Sequence, residues 1–195
     1  MADIAEKSGR IMGLFDRFRE ARRANDVSNR LYVQAVEQAR SPAFFTQFGV
    51  PDTVDGRFDL IILHIMLLIR RLRGNGKLAG EMSQSVLNHM FSDMDRNLRE
   101  MGVGDLSVGK QVKKMAKAFY GRSESWEEGI DSGRVQLMSA FEETVYRSVE
   151  QSSEQVSRLA DYALTLDQAL NAQDVDRLLM GEISFTVAEL QAPAA

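Results

Sequence analysis

Cysteine is absent from the 195-residue sequence, and histidine occurs only twice. The lack of cysteine excludes disulfides and cysteine-ligated metal centres, and it is typical of proteins from a reducing compartment. With two histidines and no Ser-His-Asp grouping in register, nucleophilic or general acid–base catalysis has few candidate residues. We therefore expect a protein that is not an enzyme and that holds neither a metal nor a cofactor.

Long apolar runs are also missing. The longest covers residues 60–69, contains His64 and ends at Arg70. As a helix it would span only ~15 Å, about half of the hydrocarbon core of a bilayer. Residues 1–10 are polar and do not resemble a secretory signal. We predict a buried helix rather than a membrane span. We also expect a cytoplasmic protein, with peripheral attachment to the cytoplasmic face of the inner membrane left open.

Helical periodicity is what the sequence does contain. Almost every segment repeats apolar residues with a period near 3.6, and no strand-like alternation stands out. We predict an all-α fold with a single compact multi-helix domain over residues 26–190. A basic amphipathic arm is expected over residues 1–25 and a loose tail over residues 191–195.

Glycine and proline set the predicted ends of the helices. We expect an irregular stretch over residues 44–56, and a helix that is capped by Asp105 or Ser107 and ends at Tyr120. A short acidic segment around Trp126 follows Gly121. The other predicted helices cover about residues 10–23, 27–39, 57–73, 80–101, 134–150, 156–170 and 175–180.

Charge is unevenly distributed along the chain. Residues 1–122 contain 20 Lys and Arg against 14 Asp and Glu, whereas residues 123–195 contain 4 Arg against 14 acids. Such an uneven distribution of charge fits a surface adapted to one kind of partner. Attraction between the two halves within the fold explains it equally well.

Basic side chains dominate one face of the helix that starts near residue 105. Four of them fall at i, i+3, i+4 and i+7: Lys110, Lys113, Lys114 and Lys117. The apolar residues of this helix lie opposite and are expected to pack inward: Val108, Val112, Met115 and Phe119. Same-sign neighbours at i, i+4 cost roughly 0.2–0.5 kcal/mol, so a merely solvated face usually mixes signs. We predict an anion-facing docking surface that includes Arg96 and Arg99, with a solvated face as the alternative.

The N-terminal arm is a second candidate surface. It combines a narrow apolar stripe with arginines, and the residues predicted to dock are Phe15, Phe18, Arg19, Arg22 and Arg23. A basic amphipathic helix of this kind binds an anionic membrane or a partner, or it packs back on its own domain. The sequence does not separate these possibilities.

Residues 104–110 match GxxxxGK, the beginning of a phosphate-binding loop. However, Gln111 follows where magnesium ligation requires Ser or Thr, and a predicted helix precedes the motif instead of a strand. We therefore interpret the segment as a turn that connects two helices. We expect no nucleotide to bind there.

Two histidine environments complete the candidate sites. His89 and Asp93 lie one helical turn apart, but Asp95 lies about 200° around the helix from Asp93, so the three do not converge on a metal. We expect Asp93 to pair with Arg96 instead. For His64 we expect a hydrogen-bonded position in the core, with a ligand or pH switch as the less favoured interpretation.

Methionine is concentrated in the middle of the chain, where seven of the ten lie between residues 66 and 138. Methionine is flexible and polarizable, so it suits surfaces that accept varied apolar segments, and it fills cores equally well. Both interpretations stand open.

Over residues 55–185 the sequence resembles the ubiquinol–cytochrome c chaperone family, the assembly factors of the respiratory cytochrome bc1 complex. The resemblance is densest between the apolar run and the lysine-rich helix. It rests on residues 58–61 (FDLI), 63–64 (LH), 67–68 (LL), 70–72 (RRL), 91–95 (FSDMD), 98–105 (LREMGVGD), 113–115 (KKM) and 118–122 (AFYGR).

The resemblance implies a helical chaperone, looking like a bacterial member, that engages newly made cytochrome b and promotes its entry into the complex. Implied partners are cytochrome b, the exit region of the ribosome and a partner assembly factor. The anionic surface of the inner membrane is a further expected partner, because it suits the lysine face. The alternative is a helical adaptor on a membrane surface or on the ribosome or other RNA, without specificity for cytochrome b.

Overall fold

The computed structural model describes residues 22–187, and these are helical with no strand among them. The all-α prediction is therefore confirmed. The arm residues Phe15, Phe18 and Arg19 and the tail over residues 191–195 lie outside the described residues. The helices are α1 (22–39), α2 (Ala43–Thr46), α3 (Val54–Leu72), α4 (Gly76–Glu100), α5 (Asp105–Ser132), α6 (Arg134–Thr144), α7 (Ser153–Asn171) and α8 (Val175–Leu178).

Helix α3 is the centre of the core, as its apolar composition predicts. It packs against α4, α5 and α7, and it is buried around most of its circumference. Its first turn is fixed by Thr53, whose side chain accepts a hydrogen bond from the Gly56 amide at 3.1 Å. A Cβ at Gly56 would lie 2.1 Å from the Pro51 carbonyl oxygen, so only glycine fits where the preceding loop crosses the helix.

Helix α5 is longer than the sequence predicts. Gly121 does not end it, and Trp126 lies within the helix instead of in a separate acidic segment. The helix continues because Trp126 is fully buried and its indole N–H donates to Thr144 Oγ1 on α6 at 3.0 Å. This packing outweighs the ~1 kcal/mol that a helical glycine costs relative to alanine.

Other predicted boundaries also differ from the structure. The helix over residues 22–39 is uninterrupted, so the predicted break at residues 24–26 is wrong. The stretch over residues 44–56 contains most of α2 and the start of α3. Helix α4 begins at Gly76 and not near residue 80. Neither Asp105 nor Ser107 caps α5, which has Gly104 at its N-cap.

Helix α6 ends at Thr144 and not near residue 150. The chain turns away there because Tyr146 is buried and its hydroxyl donates to the Phe48 carbonyl oxygen at 2.6 Å. The capping box of α7 follows, in which the Ser152 and Gln155 side chains each accept the other's backbone N–H. The last predicted helix ends early, at Leu178, and the chain continues without regular structure to residue 187.

His64 is a hydrogen-bonded core residue, as predicted. It is fully buried, its Nδ1 lies 2.7 Å from the Leu60 carbonyl oxygen, and its Nε2 lies 2.6 Å from the Tyr162 hydroxyl. Because a carbonyl only accepts, Nδ1 carries the proton and Nε2 accepts from Tyr162. Burial lowers the pKa of His64 to about 4, so the ring is neutral at physiological pH.

Candidate functional site

An open groove of about 880 Å³ lies among α3, α4 and α5. Its apolar lining comes from all three helices: Phe58, Ile61, Met94, Leu98, Met101, Met115 and Ala118. Phe58 and Met94 are buried at its floor, Leu98 and Met115 are partly exposed, and Met101 is 67% exposed at the rim. The groove therefore presents apolar surface that residues 22–187 leave uncovered.

The 3–4 spacing of α4 explains how the groove forms. Leu87, Met90 and Met94 recur on one face and are buried in the core. Leu98 and Met101 continue the same stripe to the C-terminal end of α4, where they line the groove together with residues from the start of α3. Three of the ten methionines thus line the groove, and others, such as Met90, fill the core.

A cluster of four charged residues lies beside the groove, and three of them, Asp55, Arg122 and Arg147, line it. We call Asp55, Asp59, Arg122 and Arg147 the charge cluster. The Asp59 side chain is completely buried, and it forms ion pairs with Arg122 and with Arg147, whose Nη1 lies 3.1 Å from Asp59 Oδ2. Arg147 Nη2 also binds Asp55 Oδ2 at 2.8 Å. The contact between Arg122 and Asp59 is an ion pair without the geometry of a hydrogen bond.

Burial dominates the electrostatics of this cluster. It raises the pKa of Asp59 to about 6, and the charges of Arg122 and Arg147 counteract the shift only in part. The pKa of Arg122 is lowered, mainly by burial, with the Asp59 charge opposing it. The Arg122 guanidinium also lies over the Phe58 ring, 5.9 Å from its centroid, which links the charge cluster to the apolar floor.

A smaller cleft of about 380 Å³ separates α1 from α4, and His89 and Asp93 line it, whereas Asp95 does not. Asp93 accepts a hydrogen bond from the Tyr32 hydroxyl at 2.8 Å and pairs with Arg96, as predicted. His89 Nε2 lies 3.1 Å from the Ser28 hydroxyl. Both side chains are thus engaged in joining the helices, and among residues 22–187 no cluster of His, Asp and Glu is arranged to hold a metal ion.

The four predicted lysines of α5 are exposed. Lys114 lines the groove, and the other three lie on the neighbouring solvent face. Within the described part of the chain none of the four forms an ion pair: Lys110, Lys113, Lys114 and Lys117.

The two predicted arginines of α4 differ from these lysines because both have carboxylate partners. Arg96 pairs with Asp93 and Glu100, and Arg99 pairs with Asp95 and Asp105. Arg22 and Arg23 are exposed in α1.

The GxxxxGK motif does not form a phosphate-binding loop. The chain is helical from Asp105 onward, so Gly109 and Lys110 already belong to the second turn of α5. The predicted turn over residues 104–110 is therefore wrong for most of its length, because residues 101–104 alone connect α4 to α5 and the rest is helix. Of the helices that the structure describes, none is both long and apolar enough to cross a bilayer.

Sequence reasoning missed the charge cluster. Asp59 and Arg147 lie 88 positions apart and meet only because the loop after α6 returns to the start of α3. One signal was available. Asp59 is a carboxylate at the beginning of an almost uniformly apolar helix, and carboxylates are rarely fully buried unless they are paired.

Ion pairs between the two halves of the chain explain part of the uneven distribution of charge along the sequence. Arg70 pairs with Asp131 and Asp167, and Arg73 pairs with Glu127. These contacts join the basic first part of the chain to the acidic second part.

Comparisons with known proteins agree with one another. A family model described as ubiquinol-cytochrome C chaperone matches residues 46–185. Assembly factor 1 of the ubiquinol-cytochrome c reductase complex from Mus musculus is 27% identical over 157 residues, which cover 80% of this chain and 53% of the mouse protein. The Xenopus laevis protein of that name is 24% identical over 155 residues, 79% of this chain and 78% of the other. The chain spans about half the length of the mouse and human relatives.

A solved structure shares the fold. The crystal structure of the Cbp3 homolog from Brucella abortus has a TM-score of 0.79 and 31% sequence identity to this chain. The similarity covers 90% of this chain and 98% of the other.

Proposed function

Since the chain belongs to the ubiquinol–cytochrome c chaperone family, we propose that it promotes assembly of the ubiquinol–cytochrome c reductase complex by binding newly made cytochrome b. Cytochrome b is a membrane protein, so before assembly it presents apolar segments that must be kept from aggregating. We further propose that the groove among α3, α4 and α5 receives such a segment, and that the protein acts by binding and not by catalysis.

The observation that carries this proposal is the composition of the groove. It combines uncovered apolar surface, three methionines and several cations on one open face: Met94, Met101, Met115, Arg40, Arg57 and Lys114. Flexible methionines adapt to differing apolar side chains, and the cations suit the polar or acidic residues that flank a membrane segment. Most of the lining belongs to the sequence segments that carry the family resemblance.

The groove proposal is tested by a matched pair of substitutions. Met101 at the groove rim is 67% exposed, and Val135 on α6 is 71% exposed and lies away from the groove. Because both side chains already face solvent, Met101→Asp and Val135→Asp should fold equally well. Met101→Asp places a charge where the apolar client segment binds, so we expect it to lower mature cytochrome b and assembled complex severalfold. Val135→Asp should support normal levels.

Photo-crosslinking locates the client directly. Benzoylphenylalanine at position 101 should crosslink to cytochrome b in native cells, and the same group at position 135 should not. Equal crosslinking at both positions, or a Met101→Asp strain with normal assembly, would show that the client binds elsewhere.

A second candidate is an adaptor without specificity for cytochrome b. The lysines of α5, which have no ion-pair partner within residues 22–187, favour it, because they suit an anionic surface and do not require a client. The two functions predict different levels of cytochrome b in a strain that lacks the protein. Loss of a cytochrome b chaperone lowers cytochrome b while other respiratory complexes remain, whereas a general adaptor leaves cytochrome b at its normal level.

A further inference from the structure

The exposed face of α5 carries a regular row of side chains that is separate from the groove. We call it the α5 stripe. Its members recur at alternating intervals of four and three positions: Leu106, Lys110, Lys113, Lys117 and Tyr120. This spacing keeps them on one side of a helix. Val108 and Phe119, on the other side, are buried in the fold.

The two ends of the stripe are apolar or amphipathic side chains that the fold leaves in solvent. Leu106 is fully exposed and Tyr120 is 55% exposed. They are 14 positions apart, which corresponds to about 21 Å along the helix. Leu106 contributes no packing to the described part of the fold, so its side chain is available to contact another surface.

Charge along the stripe has one sign. Residues 106–123 contain no Asp or Glu, and Asp105 at the start of α5 is paired with Arg99. The other carboxylates nearby, at the end of α4, are engaged by Arg96 and Arg99. The stripe therefore presents a positive potential that nothing among residues 22–187 neutralises through an ion pair.

We propose that the α5 stripe binds the surface of an anionic phospholipid bilayer. The three lysines contact lipid phosphates with their ammonium groups, while Leu106 enters the boundary between headgroups and acyl chains. Tyr120 has the amphipathic ring that is enriched at such interfaces. The geometry leaves the groove open on the adjacent face of α5, so membrane contact and client binding are compatible.

Leu106 is the feature that favours lipid over RNA. Single-stranded RNA is bound through aromatic stacking and arginine, and the stripe has no arginine and a single aromatic residue at its end. An exposed leucine gains nothing from a phosphate backbone, but it gains from the acyl region of a bilayer. The proposal is independent of the client groove, and it is tested with the purified protein alone.

Vesicle co-sedimentation measures the proposed binding. The full-length protein is mixed with phosphatidylcholine vesicles, or with vesicles that also contain phosphatidylglycerol. We expect binding only to the anionic vesicles, and binding that weakens as salt shortens the Debye length. A triple variant with Lys110→Gln, Lys113→Gln and Lys117→Gln should bind about a hundredfold more weakly, because each basic residue near such a surface contributes about fivefold.

Two further variants sharpen the test. A control that replaces Lys77, Arg134 and Arg177 by Gln removes the same charge from other exposed positions and should bind like the wild-type protein. Leu106→Gln should weaken lipid binding about threefold and leave binding to a homopolymeric RNA unchanged. Equal binding of the triple variant and the wild-type protein overturns the proposal. So does RNA binding that depends on the lysines in a protein that does not bind vesicles.

Discussion

Arg122 and the lysines of the α5 stripe lie on one helix, between about one and three turns apart, yet their surroundings are opposite. Arg122 retains only 14% of its side-chain exposure and faces the fully buried Asp59. The lysines are exposed and have no ion-pair partner within residues 22–187. The charge cluster therefore balances its charge inside the fold, whereas the stripe directs its charge outward.

Because of this difference in burial, the charge cluster and the stripe contribute to different properties of the protein. A buried ion pair has lost much of its hydration, so removing one partner leaves the other uncompensated. Exposed like charges repel weakly and lower stability by only roughly 0.2–0.5 kcal/mol per pair. Substitutions in the charge cluster should thus change the free energy of unfolding strongly, and substitutions in the stripe should change binding with little effect on stability.

The largest expected effect is that of Arg122→Met. The methionine keeps apolar contact with Phe58 but removes a cation from Asp59. At pH 8 Asp59 must either stay ionised with too little compensation or bind a proton at a pH well above its wild-type pKa, so we expect the free energy of unfolding to fall by about 3 kcal/mol. At pH 5 Asp59 binds a proton and no longer needs a counter-ion, because its pKa, already about 6, rises further without Arg122. Urea unfolding at both pH values measures the difference.

The matched control is Arg134→Met, which breaks an exposed ion pair with Asp161. Its effect should be small and equal at pH 5 and pH 8. If Arg122→Met destabilises the protein equally at the two pH values, then packing and not charge compensation explains the role of Arg122.

A smaller effect is expected from Asp59→Asn. The folded-state pKa of Asp59, about 6, lies above its ordinary value of 3.8. Its contribution to stability is therefore present below pH 4 and is lost as the pH rises through 6. Asparagine does not titrate, so between pH 4 and pH 7 the free energy of unfolding of the variant should rise relative to wild type by up to about 3 kcal/mol.

Thermal unfolding across that pH range tests the prediction, with Asp161→Asn as a variant that removes an exposed carboxylate. Parallel pH profiles for the wild-type protein and Asp59→Asn would mean that Asp59 has the same proton affinity in the folded and unfolded states. The buried position of Asp59 would then impose no electrostatic cost.

The spacing of apolar residues in the sequence predicts those helices whose buried face is visible within their own segment. Helix α3 was predicted from its apolar run, and α7 from its alternating spacing, because each pattern reflects the face that the helix buries. The continuation of α5 through Gly121 was not predicted. It depends on the contact between Trp126 and Thr144 on another helix, and local propensity carries no information about such a contact.

The same distinction, between features on one helix and features that need several helices, applies to the candidate site. The lysines of α5 were identified from spacing alone, because a single helix brings them together. The groove and the charge cluster were not identified from the sequence, because they form only where α3, α4, α5 and the loop containing Arg147 meet. Sequence spacing also does not show whether a methionine such as Met101 is exposed or buried, and the structure resolves that ambiguity.

The smallest effect on stability is expected from the triple glutamine variant of the stripe. Lysine and glutamine have similar helix propensities, and the replaced side chains are exposed, so the core contacts of α5 are kept. Removing same-sign neighbours at i, i+3 and i+4 should raise the free energy of unfolding by about 0.5 kcal/mol, an increase that high salt abolishes. Urea unfolding at low and high salt measures it. A loss of more than about 1 kcal/mol would mean that the lysines contribute to packing or have partners within the fold. The contrast between the stripe and the charge cluster would then fail.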